Sequence, residues 1–165
     1  MSNELSAVAY HEAGHAVAAV LLGGEVVQVT LEPENDGQLP NREGDVSIRW
    51  HHRGLTREDL LRREITVCLA GPAAEMLYAG ERPHPSTVRQ WRADWEIAWQ
   101  LAGQFISEQT RRMRMLETLL ASLCQMFDRD DCWQAVAETA DQLEAFETLE
   151  GHQVSEIVYR WVELK

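Results

Sequence analysis

His11 and His15 lie four residues apart near the start of the chain, with Glu12 between them. On an α-helix this spacing places both imidazoles on one face, one turn apart, where they can bind one zinc ion. Glu12 lies about 100° round the helix from His11 and can approach the open position of the metal without binding it. A carboxylate there can act as general base for a water molecule that attacks a peptide bond. The pattern predicts a zinc site with His11 and His15 as ligands and Glu12 as the catalytic base.

The specificity of this pattern can be judged against chance. A shuffled chain of the same composition would contain it about once in forty cases. The alternative interpretation is that both histidines are surface or core residues of an ordinary helix. Gly14 argues against that alternative, because a glycine inside a helix costs about 1 kcal/mol relative to alanine. Its small size would let another segment approach the helix closely.

Two histidines alone leave a catalytic zinc ion short of ligands, because such sites typically have three protein ligands and a water molecule. The candidates for the third position are Glu75, His84, the pair at residues 51–52, and Asp94. Asp94 lies in a predicted helix whose same face carries Ala98 and Leu101, which indicates that this face points to the interior. Glu75 could instead orient a zinc-bound imidazole by a hydrogen bond, or be an ordinary helix carboxylate.

The helix that carries the histidines is predicted over residues 4–22, because apolar residues recur at helical spacing and two glycines follow. Residues 26–31 and 45–50 are rich in β-branched or alternating residues and predict two strands. Residues 32–43 have the proline, glycine and asparagine content of a loop. We therefore expect an antiparallel pair with a long connection.

The chain after residue 56 is predicted to be mainly helical. Thr56 and Asp59 form an N-cap signal for a helix that ends near residue 78, with a kink or break at Pro72. Further helices are predicted over residues 86–107 and, two or three in number, over residues 108–165 with turns near Asp128 and Gly151. The predicted fold class is mainly α, with a small β-element of two or three short strands after the first helix. Residues 1–165 are predicted to form a single domain.

Three tryptophans, Trp91, Trp95 and Trp99, recur at the spacing of one helix face. Packing of that face against the core is favoured over an exposed surface for a substrate or partner. The stripe is centred about 100° round the helix from Asp94.

Composition limits the classes of partner and the compartment. The chain has 15 basic and 27 acidic residues and a net charge of −12, which would repel nucleic-acid phosphates. It shows no apolar run of membrane-spanning length and no secretory signal. Cys68, Cys124 and Cys132 are odd in number and lack the close spacing of a zinc site, which favours reduced thiols. These features predict a cytoplasmic protein with no nucleic-acid partner and no membrane span.

Residues 9–17 have the sequence A-Y-H-E-A-G-H-A-V, and residues 29–33 have the sequence V-T-L-E-P. They resemble the A-Y-H-E-A-G-H-A signature and the V-T-I-x-P strand that follows it in the peptidase domain of the FtsH family of ATP-dependent zinc proteases. Residues 69–80, 93–98 and 147–151 resemble its L-G-G-R-A-A-E, N-D-x-x-x-A and E-T-L-D-G segments. We therefore expect a stand-alone peptidase domain, without the ATPase module or the membrane anchor of those proteases.

The resemblance implies one Zn²⁺ per chain, held by His11, His15 and Asp94, with Glu12 as the general base. It also implies that residues 46–50 accept substrate as an added strand. The segment that precedes Asp94 differs from the family's, because the family's serine- and glycine-rich segment is absent here. That change bears on substrate gating and hexamer assembly more than on metal binding.

The sequence therefore predicts a zinc-dependent endopeptidase that hydrolyses peptide bonds in flexible or unfolded segments. Its predicted partner is a peptide or protein substrate, with a separate ATPase or further copies of the chain left open. Two alternatives also stay open. One is a catalytically inert zinc-binding or metal-free module that binds peptides in a regulatory role. The other is a dedicated processor of one regulatory protein.

Overall fold

The fold is mainly helical, as a computed structural model of residues 2–32 and 44–163 shows. This confirms the predicted fold class. None of the helices in these ranges combines the length and the apolar character that a membrane span needs. The helices are α1 (Ser2–Leu21), α2 (Arg57–Ala79), α3 (Arg92–Ala102), α4 (Gln109–Phe127), α5 (Asp130–Phe146) and α6 (Gly151–Trp161). The strands are β1 (Glu25–Thr30), β2 (Asp45–Arg49) and β3 (Thr148–Glu150).

Helices α1 and α2 pack against each other at the centre of the molecule. The small residues Ala9, Ala13 and Gly14 of α1 are buried. A Cβ atom at Gly14 would lie 2.5 Å from the carbonyl oxygen of Ala70 and 2.6 Å from the Cβ of Ala74, both in α2. The close approach expected at Gly14 is therefore present. It brings the histidine-bearing helix against the middle of α2, while α5 covers another side of α1.

Helix α2 begins and ends at the predicted positions. Thr56 and Asp59 form a complete capping box, and Gly80 ends the helix in the left-handed conformation with φ 74°. Of the kink or break predicted at Pro72, the break does not occur, because α2 continues through this residue. Pro72 is buried together with its neighbours, so tertiary packing offsets the cost of a proline inside a helix.

The small sheet has the strand order β2-β1-β3 and is antiparallel. Its β1–β2 pair confirms the predicted pairing, and the predicted loop lies largely at residues 33–43, outside the described residues. Strand β3 was not predicted as a separate strand. It pairs with β1 through Val29 and Leu149, and Gly151 directly after it touches the backbone of Val26. A side chain at Gly151 could not be accommodated, which explains the glycine at the start of α6.

The segment before the third helix differs from the prediction. One helix was expected over residues 86–107, but two 3₁₀ turns, Pro85–Thr87 and Arg89–Trp91, precede the shorter helix α3. Val88 has an extended conformation between them, with φ −100° and ψ 119°, and this interrupts the helical path. As a result Trp91 lies just before α3, where its side chain is only 5% exposed. The turn predicted near Asp128 is confirmed at the end of α4.

Candidate metal centre

Three of the predicted site residues meet between α1 and the first turn of α3. His11 Nε2 lies 2.8 Å from Asp94 Oδ2, and His15 Nε2 lies 3.5 Å from the same oxygen. One donor atom from each of the three residues lies within 4.8 Å of the others. The fold thus brings together two imidazoles and a carboxylate that are 83 residues apart in the chain at their widest separation.

The second nitrogen of each imidazole has a hydrogen-bond acceptor on α2. His11 Nδ1 donates to Glu75 Oε2 at 2.9 Å, and His15 Nδ1 donates to the carbonyl oxygen of Val67 at 2.6 Å. Both rings are therefore oriented with Nε2 toward Asp94. This is the arrangement that metal-binding histidines usually have, with the outer nitrogen held by a carboxylate or carbonyl. The residues present fit a zinc ion in the number and chemical type of their donors.

Gly71 provides the space that the two rings occupy. A Cβ atom at this position would lie 2.6 Å from His15 Cε1 and 2.7 Å from His11 Nε2. Contacts below 3 Å would force both imidazoles to move, because neither ring can bend away. The sequence resemblance covered this glycine, but its contact with the histidines could only be seen once α1 and α2 were packed together.

The charges of the cluster compensate one another. Burial opposes protonation of His11, but its hydrogen bonds to Asp94 and Glu75 outweigh this effect and raise its pKa to about 10. Burial likewise opposes protonation of His15, and the Asp94 carboxylate outweighs it, so the pKa of His15 is also raised. The two imidazoles in turn hold the pKa of Asp94 well below its usual range, despite burial. A divalent cation would supply the positive charge that these protons supply, so metal binding would release protons.

Glu12 lies beside the cluster on α1 and is only 6% exposed. Burial raises its pKa, and the nearby charges of His15 and His11 partly offset that rise. Gly44, which directly precedes β2, lies against this side chain, since a Cβ there would lie 2.5 Å from both Cγ and Oε1 of Glu12. A carboxylate in this state is suited to accept a proton near neutral pH. The start of β2 therefore lies next to the candidate base.

Trp91 makes a contact that the sequence did not reveal. Its indole N–H donates to Glu75 Oε2, the same oxygen that accepts from His11. Trp91 was predicted to pack against the core, which its burial supports. The hydrogen bond depends on the 3₁₀ turn before α3, and tryptophan spacing carries no signal for such a turn.

The remaining candidates for a metal ligand lie outside the cluster. His51 and His52 are exposed, and His51 lies 3.7 Å from Glu25 at the far end of the sheet. His84 Nδ1 lies 2.7 Å from Ser86 Oγ, and its ring packs edge-on against Trp95. Within the described residues, the cluster of His11, His15 and Asp94 is the one group of potential ligands found.

A comparison with protein families points to the same part of the chain. Residues 3–77 match the family model for peptidase M50B-like proteins. The matched segment is just under half of the chain and contains His11, Glu12, His15 and Glu75, but not Asp94. The match supports a metallopeptidase-type domain. No curated protein matches the chain.

Two glycine variants should distinguish an effect on zinc affinity from an effect on the stability of the fold. We expect Gly71→Ala to weaken zinc binding by at least about tenfold, because the new methyl group displaces both imidazoles. Gly14→Ala should instead destabilise the protein by about 1–3 kcal/mol, because its methyl group meets the backbone of α2. Chelator competition and chemical denaturation would measure the two quantities. Zinc affinity unchanged in Gly71→Ala would show that the ring positions seen here are not those of the metal-bound protein.

Proposed function

We propose that this protein is a zinc-dependent endopeptidase with one zinc ion held by His11, His15 and Asp94. The observation that carries the proposal is the position of Asp94, whose carboxylate faces the Nε2 atoms of both histidines with Glu12 buried beside them. The metallopeptidase-type family match over residues 3–77 gives independent support. Zinc would be bound by three protein ligands with a position left for water, as catalytic zinc sites require.

Each protein group in this site has a defined role in hydrolysis. A zinc ion held by His11, His15 and Asp94 would polarise the carbonyl group of a peptide bond and make a water molecule more acidic. Glu12 accepts a proton from the water molecule while the water oxygen bonds to the carbonyl carbon. It then gives the proton to the amine nitrogen as the C–N bond breaks. Glu75 keeps the His11 ring in place by accepting from Nδ1, and Trp91 holds Glu75.

The substrate is proposed to bind along β2. Within the described residues β2 pairs with β1 on one side, and its other edge is available for an added strand. The position of Gly44 against Glu12 places the start of this edge next to the base. An extended peptide that pairs with β2 would therefore pass the metal centre. Because strand pairing needs an extended backbone, the preferred substrates would be flexible or unfolded segments.

The type of peptidase and its surroundings are also part of the proposal. We infer a single FtsH-like domain over the whole chain, although the matching family model is that of another metallopeptidase family. The partner would be a peptide or protein substrate, with a separate ATPase or further copies of the chain to deliver it. Cys124 and Cys132 are free thiols, which supports a reducing compartment such as the cytoplasm.

Metal analysis and a digest together test this function. The purified protein should contain one zinc per chain and cleave casein, a chelator should stop cleavage, and added zinc should restore it. Zinc without cleavage of any member of a peptide library would favour the inert regulatory module. Cleavage of only one sequence would favour a dedicated processor. A protein that binds no zinc would contradict the proposal.

Glu75 should influence metal affinity without being a ligand. We expect Glu75→Gln to lower zinc affinity by about 10–100-fold, the usual effect of removing an outer partner of a zinc-bound histidine. Glu64→Gln on the same helix is the matched control, because Glu64 lies outside the cluster. Trp91→Phe should have a smaller effect in the same direction. Equal affinities for the Glu75 and Glu64 variants would rule out the orienting role.

A further inference from the structure

Three aromatic rings from three helices meet on a side of α1 away from Glu12. Tyr10 of α1 stacks on Tyr78 of α2 with ring centroids 4.3 Å apart and 15° between the planes. Tyr10 also stacks on Trp133 of α5 at 5.3 Å and 20°. Because Tyr10 precedes Glu12 by two residues, the two side chains leave the helix about 160° apart. The rings therefore lie away from the candidate base.

These rings line a cavity of about 460 Å³, which is within the range of pockets that bind small ligands. Leu77 and Phe127 give it an apolar wall. Asp128 and Asp130 complete the lining, and both are exposed. The cavity thus combines aromatic surfaces with two carboxylates. We call it the aromatic–acidic pocket.

The two carboxylates of the aromatic–acidic pocket are available to a ligand. Within the described residues, neither Asp128 nor Asp130 has an ion-pair partner. Arg129 lies between them in sequence, but its guanidinium is bound to Asp131 at 2.7 Å. The charge of Arg129 is therefore already compensated by Asp131. The pocket keeps its negative charge.

Further negative charge comes from the ends of two helices beside the pocket. Tyr78 and Phe127 lie in the last turns of α2 and α4, and the C-terminal ends of helices carry partial negative charge. Asp130 and Trp133 lie in the first turn of α5, whose N-terminal end carries partial positive charge and offsets part of this effect. The two carboxylates are therefore what makes the pocket favour a cation.

We propose that the aromatic–acidic pocket binds the guanidinium group of an arginine side chain in a peptide or protein. A planar guanidinium can lie against an aromatic ring while its N–H groups donate to carboxylates, which a lysine ammonium does less well. The rings of Tyr78 and Trp133, each stacked on Tyr10, line this pocket together with the two carboxylates. The site is formed by the fold without zinc. It goes beyond the proposed peptidase activity and would hold a basic segment away from the scissile bond.

Calorimetric titration with a short peptide tests this proposal. The full chain carrying Glu12→Gln, which prevents cleavage, is titrated with acetyl-Gly-Gly-Arg-Gly-Gly-amide and with the same peptide carrying citrulline in place of arginine. We expect a Kd of about 1 mM or tighter for the arginine peptide. Citrulline has nearly the same shape without the charge. It should bind at least about tenfold more weakly.

Variants at the pocket and elsewhere separate specific binding from general attraction to an acidic protein. Asp128→Asn with Asp130→Asn should weaken binding about tenfold, and Trp133→Leu about 2- to 30-fold. Glu156→Gln with Glu163→Gln removes the same charge from exposed positions outside the pocket and should leave affinity unchanged. The aspartate variants change exposed residues, so they stay informative if Trp133→Leu fails to fold. No binding, equal binding of citrulline, or equal losses in both double variants would overturn the proposal, whatever the peptidase assay gives.

Discussion

Glu12→Gln is expected to lower the rate of peptide hydrolysis by about 10²–10⁴-fold while the protein keeps one zinc per chain. Glutamine fills the same space beneath Gly44 but cannot accept the proton of the attacking water. Burial raises the pKa of Glu12, which brings the carboxylate closer to the pKa that suits a general base near neutral pH. Initial rates on an unstructured peptide, with zinc measured on the same samples, give the two quantities.

Glu4→Gln is the matched control for this variant. Glu4 lies in the first turn of the same helix and is exposed, so its charge is removed without touching the cluster. The control should cleave at the parental rate. Full activity of Glu12→Gln would show that Glu12 is not the base. Loss of zinc together with activity would instead show that Glu12 supports the metal.

Asp94→Asn is expected to lower zinc affinity by more than about 100-fold, a larger effect than that of an outer partner. Asparagine keeps the shape of the side chain but removes the anionic oxygen that faces His11 and His15. Zinc competes with protons for His11 and His15, and this competition reduces the loss of affinity that is measured. Asp94 also raises the pKa of both histidines, and its removal makes them easier to deprotonate. The measured loss is therefore a lower limit for the contribution of Asp94 as a ligand.

The comparison should be made by titration against a chromophoric chelator at one pH. Glu96→Gln is the matched control on α3, because Glu96 is exposed and outside the cluster. The control should bind zinc as tightly as the parent. If Asp94→Asn keeps full affinity and Glu75→Gln loses the metal, Glu75 is the third ligand and the proposed site is wrong.

The elements with strong local signals were predictable from sequence. The capping box of Thr56 and Asp59 and the left-handed Gly80 define α2 from within its own residues. Strand β3 has only three residues, too few to show an alternating pattern, and it exists because β1 offers it a partner. The turns before α3 were missed for a related reason. The tryptophan spacing predicted burial of Trp91, but packing determines where the helix begins.

The candidate site likewise has residues that local spacing predicts and residues that only the packing of helices brings together. His11, Glu12 and His15 lie within one helical turn or so, and spacing alone brings them together. Asp94 was assigned through the FtsH resemblance, since its position depends on how α3 packs. The contacts of Gly71, Val67 and Trp91 with the cluster arise only when α1, α2 and the turns before α3 come together. They carry no pattern that one sequence could reveal.

The contact between His11 and Asp94 joins residues 83 positions apart, so it acts as a cross-link between the first helix and the third. Closing such a loop costs entropy, but that cost rises only by about 0.6 kcal/mol for each doubling of loop length. A ligand that binds only the folded chain adds about 4.1 kcal/mol of stability at a concentration 1,000 times its Kd. A metal at this position would therefore tie α3 to α1 much as a covalent bridge would. Removal of the metal would therefore weaken the link between α1 and α3 and would also stop the hydrolysis.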